Sequence, residues 1–179
     1  MNAPVKPAAR LSNLIAALES ACDEQDYARL IAEADLKVED LVHYRFLPDM
    51  GYGRNLIYSS ETFEMILMCW PDRQQSAVHD HAKSLCVMKC IEGELVEHRY
   101  RVDADMSPKH IGETVLQGGD LQQIDNSQGL HSIQNRSGEL SCSLHFYFPA
   151  IHSCHLFCEE TGQKKQVFSL FTSEYGIRC

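Results

Sequence analysis

The residues best suited to do chemistry together are histidines. In His79-Asp80-His81 two imidazoles stand two positions apart, and in an extended strand that spacing puts both rings on one face while Asp80 points the other way. A third nitrogen can come from a later strand, and spacing alone leaves both His131 and His145 open as its source. Three neutral imidazoles can hold a transition metal, but they leave the ion's charge uncompensated and so favour an anionic ligand arriving with the substrate. A thiolate meets that need. Ser143, His145 and Tyr147 occupy alternate positions of an apolar stretch, so their side chains can line one face as a hydrogen-bonded row.

These residues need a scaffold, and the hydrophobic pattern predicts one that is helical first and then all β. Leu11, Leu14, Ile15 and Leu18 recur at helical spacing; Tyr27, Leu30 and Ile31 begin a second set with Asp26 as its N-cap. A third short pattern, Val38, Leu41, Val42 and Tyr44, ends before Pro48. Beyond it Phe63, Met65, Leu67 and Cys69 alternate with other residues. Short strand-like runs follow near 84–91, 94–102, 113–117, 120–125, 130–134, 140–148, 153–158 and 166–171. Turn signals separate them: Glu92-Gly93, Asp105-Met106-Ser107-Pro108, Gly118-Gly119-Asp120, Ser137-Gly138 and Thr161-Gly162. The expectation is a mainly β chain, an antiparallel, jelly-roll-like β-barrel with a small N-terminal helical cap. The 179 residues read as one domain, helical over 1–48 and barrel over 49–179.

Composition removes several classes of function. A formal charge of -9 argues against nucleic acid, whose binding needs clustered Lys and Arg. No apolar run reaches the roughly 20 residues of a membrane helix, and residues 1–10 lack the apolar segment of a secretory signal, so a cytoplasmic protein is expected. In that reducing compartment the eight cysteines are expected to remain thiols. A monomer is the default reading.

The spacing of His79, His81, Gly93, His131 and Asn135 resembles the two motifs of the cupin superfamily, with Cys86 where many cupins carry a metal-binding Glu. Longer words sharpen the likeness: Gly51-Tyr52-Gly53-Arg54-Asn55-Leu56, Ile66-Leu67-Met68-Cys69-Trp70, Ser84-Leu85-Cys86, Gly129-Leu130-His131, Ser143-Leu144-His145-Phe146-Tyr147 and Cys154-His155. From about residue 35 onward the chain resembles the cysteine dioxygenase family.

That resemblance implies a cupin barrel and a mononuclear Fe(2+) site held by His79, His81 and His131, which decides between His131 and His145. It implies L-cysteine and O2 as substrates and cysteine sulfinate as product, with cysteine binding through sulfur and amine. Coordination would convert the thiol to the thiolate that oxidation needs. Arg54 matches the arginine that grips the substrate carboxylate, with a planar fork suited to two charge-assisted bonds, and Tyr52 helps to shape the same pocket. Gly53 stands where the family usually has Thr. Ser143, His145 and Tyr147 match the row that orients the tyrosine hydroxyl near the substrate. Cys86 and Tyr147 match the pair that becomes a thioether crosslink in animal-type members, Cys154 a cysteine near the pocket mouth, and Phe148-Pro149 a cis step. Trp70 reads as core.

Three rivals remain at this level. A dioxygenase for another small thiol, such as 3-mercaptopropionate, would share the iron and the barrel, though Arg54 and Cys86 argue against it. A non-catalytic metal-binding cupin sensor and a three-histidine zinc hydrolase would use the same ligands. The pairs Cys86/Cys90 and Cys154/Cys158 raise a cysteine zinc site, against which their spacing argues.

Overall fold

A computed structural model describes residues 4–21, 23–103 and 107–179. Two short helices lead, α1 (Ala9–Ser20) and α2 (Glu24–Glu33), followed by a 3-10 turn over Val38–Tyr44. Asp23, not Asp26, caps α2: its carboxylate accepts the Asp26 backbone N–H at 2.8 Å, and Asp26 instead pairs with Arg29 inside the first turns. Two aspartates three residues apart compete for one cap, and the earlier one reaches the orphan N–H of the third helical residue.

The strands are β1 (Gly53–Ser59), β2 (Glu64–Trp70), β3 (Val78–His79), β4 (Leu85–Glu92), β5 (Glu94–Val102) and β6 (Pro108–Gln117). After them come β7 (Leu121–Ile124), β8 (Leu130–Asn135), β9 (Ser141–Phe148), β10 (Ser153–Phe157), β11 (Lys164–Phe168), β12 (Ser173–Glu174) and β13 (Ile177–Arg178). They form two sheets, ordered β13-β12-β1-β2-β9-β4-β7 and β11-β10-β3-β8-β5-β6. The fold is the mainly β, two-sheet, jelly-roll-like cupin barrel with N-terminal helices.

β2 explains why simple alternation understated this barrel. All seven of its residues are buried. Met65, Leu67 and Cys69 pack outward under the helices with Leu11, Leu14, Leu18 and Ile31, while Ile66, Met68 and Trp70 face the barrel interior. A strand covered on both faces reads as a continuous apolar run. The helical layer is pinned by Lys89 of β4, whose buried ammonium donates to the carbonyls of Ile31, Ala32 and Ala34 at 2.8, 3.1 and 2.7 Å. Those are the orphan carbonyls at the end of α2, where a cation also suits the helix dipole.

Several elements differ from the sequence reading. β1, β3, β12 and β13 have no counterpart in it. β6 begins at Pro108 rather than near 113, because its exposed face carries polar residues that hide the period. β11 covers Lys164–Phe168 rather than 166–171. The turn signal at Asp105-Met106 and Cys22 lie outside the described residues. No disulfide joins the seven described cysteines, and among the described residues no helix is long and apolar enough to cross a membrane.

Candidate metal centre and substrate cavity

His79 ends β3 and pairs directly with His131 of β8. β3 stops there, so His81 lies just past the strand rather than in it, yet the expected parity holds. Asp80 turns away and accepts from the His155 backbone and ring at 2.8 and 2.9 Å. Asn126 accepts the His81 backbone N–H at 2.9 Å, which fixes the chain where it leaves the strand. Gly129, at φ 104, immediately precedes β8; a Cβ there would strike the Tyr100 carbonyl. The three rings cluster with centroids 4.6, 4.6 and 5.2 Å apart.

Proton counting shows what this cluster fits. His131 Nδ1 lies 2.7 Å from Glu97 Oε1, and His79 Nδ1 lies 2.9 Å from the Ala77 carbonyl. Both partners only accept, so each neutral ring carries its proton on Nδ1 and presents a bare Nε2. Those two Nε2 atoms are 3.2 Å apart. Two facing lone pairs repel unless a cation sits between them. His81 adds two buried ring nitrogens with no hydrogen-bond partner, a costly arrangement unless a metal takes one of them. Burial pushes all three rings below the ordinary histidine range, His81 and His131 well below it, which keeps them neutral ligands. The residues therefore fit a metal ion. Neither cluster of potential metal ligands among the described residues includes a cysteine, so the cysteine pairs assemble no zinc site.

Glu97 of β5 is the residue that sequence reasoning missed. It is fully buried, and its second oxygen accepts from Gln122 Nε2 and forms an ion pair with Arg99 Nε, each at 2.8 Å. Metal-bound histidines typically carry such a carboxylate on the far nitrogen.

The Ser143-His145-Tyr147 row lies on the inner face of β9, headed by a residue expected only in the core. Trp70 Nε1 donates to Ser143 Oγ at 2.9 Å, and that hydroxyl lies 2.9 Å from His145 Nε2. An indole can only donate, so Ser143 accepts from Trp70, and its own proton has His145 Nε2 as the acceptor within reach. His145 is then the Nδ1–H tautomer, pointing at the Tyr147 hydroxyl at 3.5 Å and the Cys86 sulfur at 3.9 Å. Burial, helped by the charge of Arg54, lowers His145 to about 3, so it stays neutral. His145 thus belongs to this row rather than to the three-ring cluster.

Cys86 of β4 is directly opposite Tyr147 of β9. Burial raises the Cys86 thiol to about 12 and the Tyr147 phenol well above its usual range. Phe148-Pro149, just after the row, is cis.

Arg54 of β1 reaches the same cavity. Its guanidinium carbon lies 5.9 Å from the Phe171 ring centroid, and its buried Nε has no partner. Its backbone N–H and carbonyl both bond to Thr172, so residues 171–172 position it, a role the sequence did not suggest. Gly53 has a local cause: a Cβ there would collide with the Phe46 carbonyl. Tyr52 stacks on Trp70 with centroids 4.6 Å apart. Tyr52, Arg54, His79, His81, Tyr147 and Cys154 line a cavity of about 230 Å³, sized for a small molecule.

Two facing sheets with a three-imidazole cluster beside a small cavity define a cupin-type barrel equipped to hold a metal. The comparisons narrow this further. The family model of cysteine dioxygenase type I matches residues 2–160. Cysteine dioxygenase type 1 of Danio rerio is 33% identical over 147 residues, covering 78% of this chain and 72% of that protein. The Homo sapiens protein of the same name is 35% identical over 131 residues, covering 71% of this chain and 66% of its own length. The chain belongs to the cysteine dioxygenase type I family. Among solved structures, a Thermus thermophilus protein has a TM-score of 0.51 at 21% identity, covering 64% of this chain and 99% of its own. A Klebsiella pneumoniae protein with a double-stranded β-helix domain gives 0.50 at 16% identity, covering 71% and 91%. At these identities the two structures speak only to the fold.

Proposed function

We propose that this chain is an iron-dependent thiol dioxygenase that converts L-cysteine and O2 to cysteine sulfinate, with His79, His81 and His131 as the iron ligands. The observation that carries the reading is a cluster of three neutral imidazoles, two of which, His79 and His81, line one small cavity together with the Arg54 guanidinium. Ferrous iron would supply the positions at which thiolate, amine and dioxygen come together and the electrons that activate dioxygen. The protein contributes no carboxylate ligand, so the thiolate provides the missing negative charge.

Arg54 binds the substrate carboxylate through its fork and sets the distance from carboxylate to metal, with Tyr52 closing the side of the pocket. Tyr147 takes a hydrogen bond from His145, which leaves its own proton free to turn into the cavity and orient the substrate. Cys86 and Tyr147 form a thioether crosslink that holds the phenol in place: the thiol S–H and one ring C–H are lost as the C–S bond forms, and dioxygen, the oxidant of the proposed activity, takes the two electrons and two protons. We place the whole activity in one domain, 1–179, acting as a cytoplasmic monomer without nucleic acid or membrane.

The test is to load the purified protein with Fe(2+) anaerobically, admit air with L-cysteine, cysteamine or 3-mercaptopropionate, and identify products. Sulfinate from L-cysteine with the other two poorly used is expected; equal turnover of all three defeats the role of Arg54. No oxygen uptake with any thiol would favour a sensor. His131→Ala should lose iron and activity together, and Arg54→Ala should mainly weaken cysteine binding. Cys86→Ala should retain reduced turnover and lose any doublet of gel bands.

A further inference from the structure

A second group of potential ligands lies on the opposite face of β5 from the cavity. Glu97 and Arg99 point inward toward His131, so His98 between them points outward. In the β5–β6 pair His98 is opposite Glu113 and Tyr100 is opposite His110, with a register shift between Arg99 and Tyr100. That shift leaves Ile111 as an extra residue. In a regular strand His110 and Glu113, three apart, would face opposite ways; the bulge puts both on the outer face beside His98. One donor atom from each of the three side chains lies within 4.8 Å of the others.

The spacing suits a small divalent ion. Zinc bonds of 2.0–2.1 Å in a tetrahedron place neighbouring donors about 3.3 Å apart, and His98 Nδ1 is 3.1 Å from Glu113 Oε1. The His98 and His110 rings are 5.6 Å apart, and His110 is exposed, so a side-chain rotation can close the remaining gap.

The surrounding hydrogen bonds prepare these donors. Arg136 Nε, which can only donate, lies 2.7 Å from Gln134 Oε1, so that oxygen is an acceptor. His98 Nε2 is 3.3 Å from the same oxygen and can give its proton there, which frees the Nδ1 lone pair for a cation placed between the ring and Glu113. A far-side hydrogen bond of this kind is the usual support of a metal-ligating histidine. Arg136 also holds both Glu113 oxygens, at 3.1 and 3.3 Å, and keeps that carboxylate ionised below its ordinary range. Arg136 Nη2 is 3.4 Å from His98 Nε2 as well. With the His98 proton on Nδ1 instead, Nε2 accepts from Arg136 and the ring meets the carboxylate with no metal between them, and metal binding separates the two arrangements.

We propose that His98, His110 and Glu113 form a second transition-metal site, of the two-histidine, one-carboxylate type that takes Zn2+, on the outer face of the β5–β6 hairpin. An ion there clamps the two strands together and braces the segment of β5 that carries Glu97 and Arg99.

The test is equilibrium dialysis of the full chain, first stripped of metal, against buffered Zn2+, with bound metal counted by mass spectrometry. His110→Ala and Glu113→Gln, both at exposed positions, should each bind one ion fewer than the wild type. Zn2+ should raise the melting temperature of the wild type by more than that of either variant. Retention of the full wild-type count by His110→Ala overturns the site and assigns the metal-free contact of His98 with Glu113 and Arg136 instead.

Discussion

The Nδ1 atom of His131 and the Oε1 atom of Glu97 lie 2.7 Å apart, both fully or almost fully buried. This one contact determines which His131 nitrogen is available to a metal. Glu97→Gln keeps the shape but replaces the anion with a neutral amide that can turn its NH2 toward the ring. Metal affinity should fall about 10–100-fold, the usual loss for such supporting carboxylates. Metal content after dialysis at fixed free Fe(2+) measures it, and unchanged retention would show that His131 is oriented by the backbone alone.

Trp70 should act on the Tyr147 row through one proton. Trp70→Phe keeps most of the ring packing but removes the Nε1–H donor, freeing Ser143 to donate or accept and letting His145 adopt either tautomer. Stability should drop by about 1–2 kcal/mol from the lost hydrogen bond and the altered packing. Under the proposed function, turnover should drop more than cysteine binding. Ser143→Ala should reproduce the effect on turnover, because it breaks the same relay one link further on. A Trp70→Phe enzyme with wild-type kcat would detach the relay from catalysis.

His79, His81 and the row were legible because their geometry is local: a two-residue spacing becomes a shared face in any strand, whereas His131 was separated from His145 only by the family resemblance. The elements that complete the site depend on register. Glu97 meets His131 only through the β5–β8 pairing, which opposes Arg99 to His131 and turns Glu97 inward beside it. Arg54 is held by Thr172, 118 residues away. Trp70 looked like core because it is core, and its indole N–H acquires a role only where β2 meets Ser143 on β9. His110 and Glu113 share a face only because of a bulge that no period reveals. Alternation located β2 although both its faces are buried, and it misplaced strands exposed at an edge, as in β6 and β11.

Lys89 offers a test of how the helices are attached to the barrel. Lys89→Met preserves the apolar stem but deprives three carbonyls of α2 of their donor. These are partly buried groups that water can recover in part, so the expected loss is about 2–3 kcal/mol. Urea midpoints should shift with little change in slope, and amides of α2 should exchange faster than those of β2 or β9. Equal exchange throughout the variant would mean that the helices are held by their apolar face alone.

Glu64 carries the clearest pH signature. It begins β2 opposite Tyr147, is buried, and leaves Oε1 without a hydrogen-bond partner. Burial raises its pKa from 4.5 to about 7, with Arg54 opposing part of the rise. A raised carboxyl binds a proton in the folded protein that the unfolded chain has already released, so folding loses stability as pH rises from 4.5 through about 7. The shift corresponds to a penalty on the order of 3 kcal/mol at pH 8. Glu64→Gln removes the titration. Its stability should match the wild type near pH 4.5 and exceed it progressively above, with the gap levelling off beyond pH 7. The difference between the two proteins' urea midpoints across this range isolates Glu64 from every other carboxylate. A constant difference, or one that widens toward acid, would mean that Glu64 is ionised and satisfied in the folded protein.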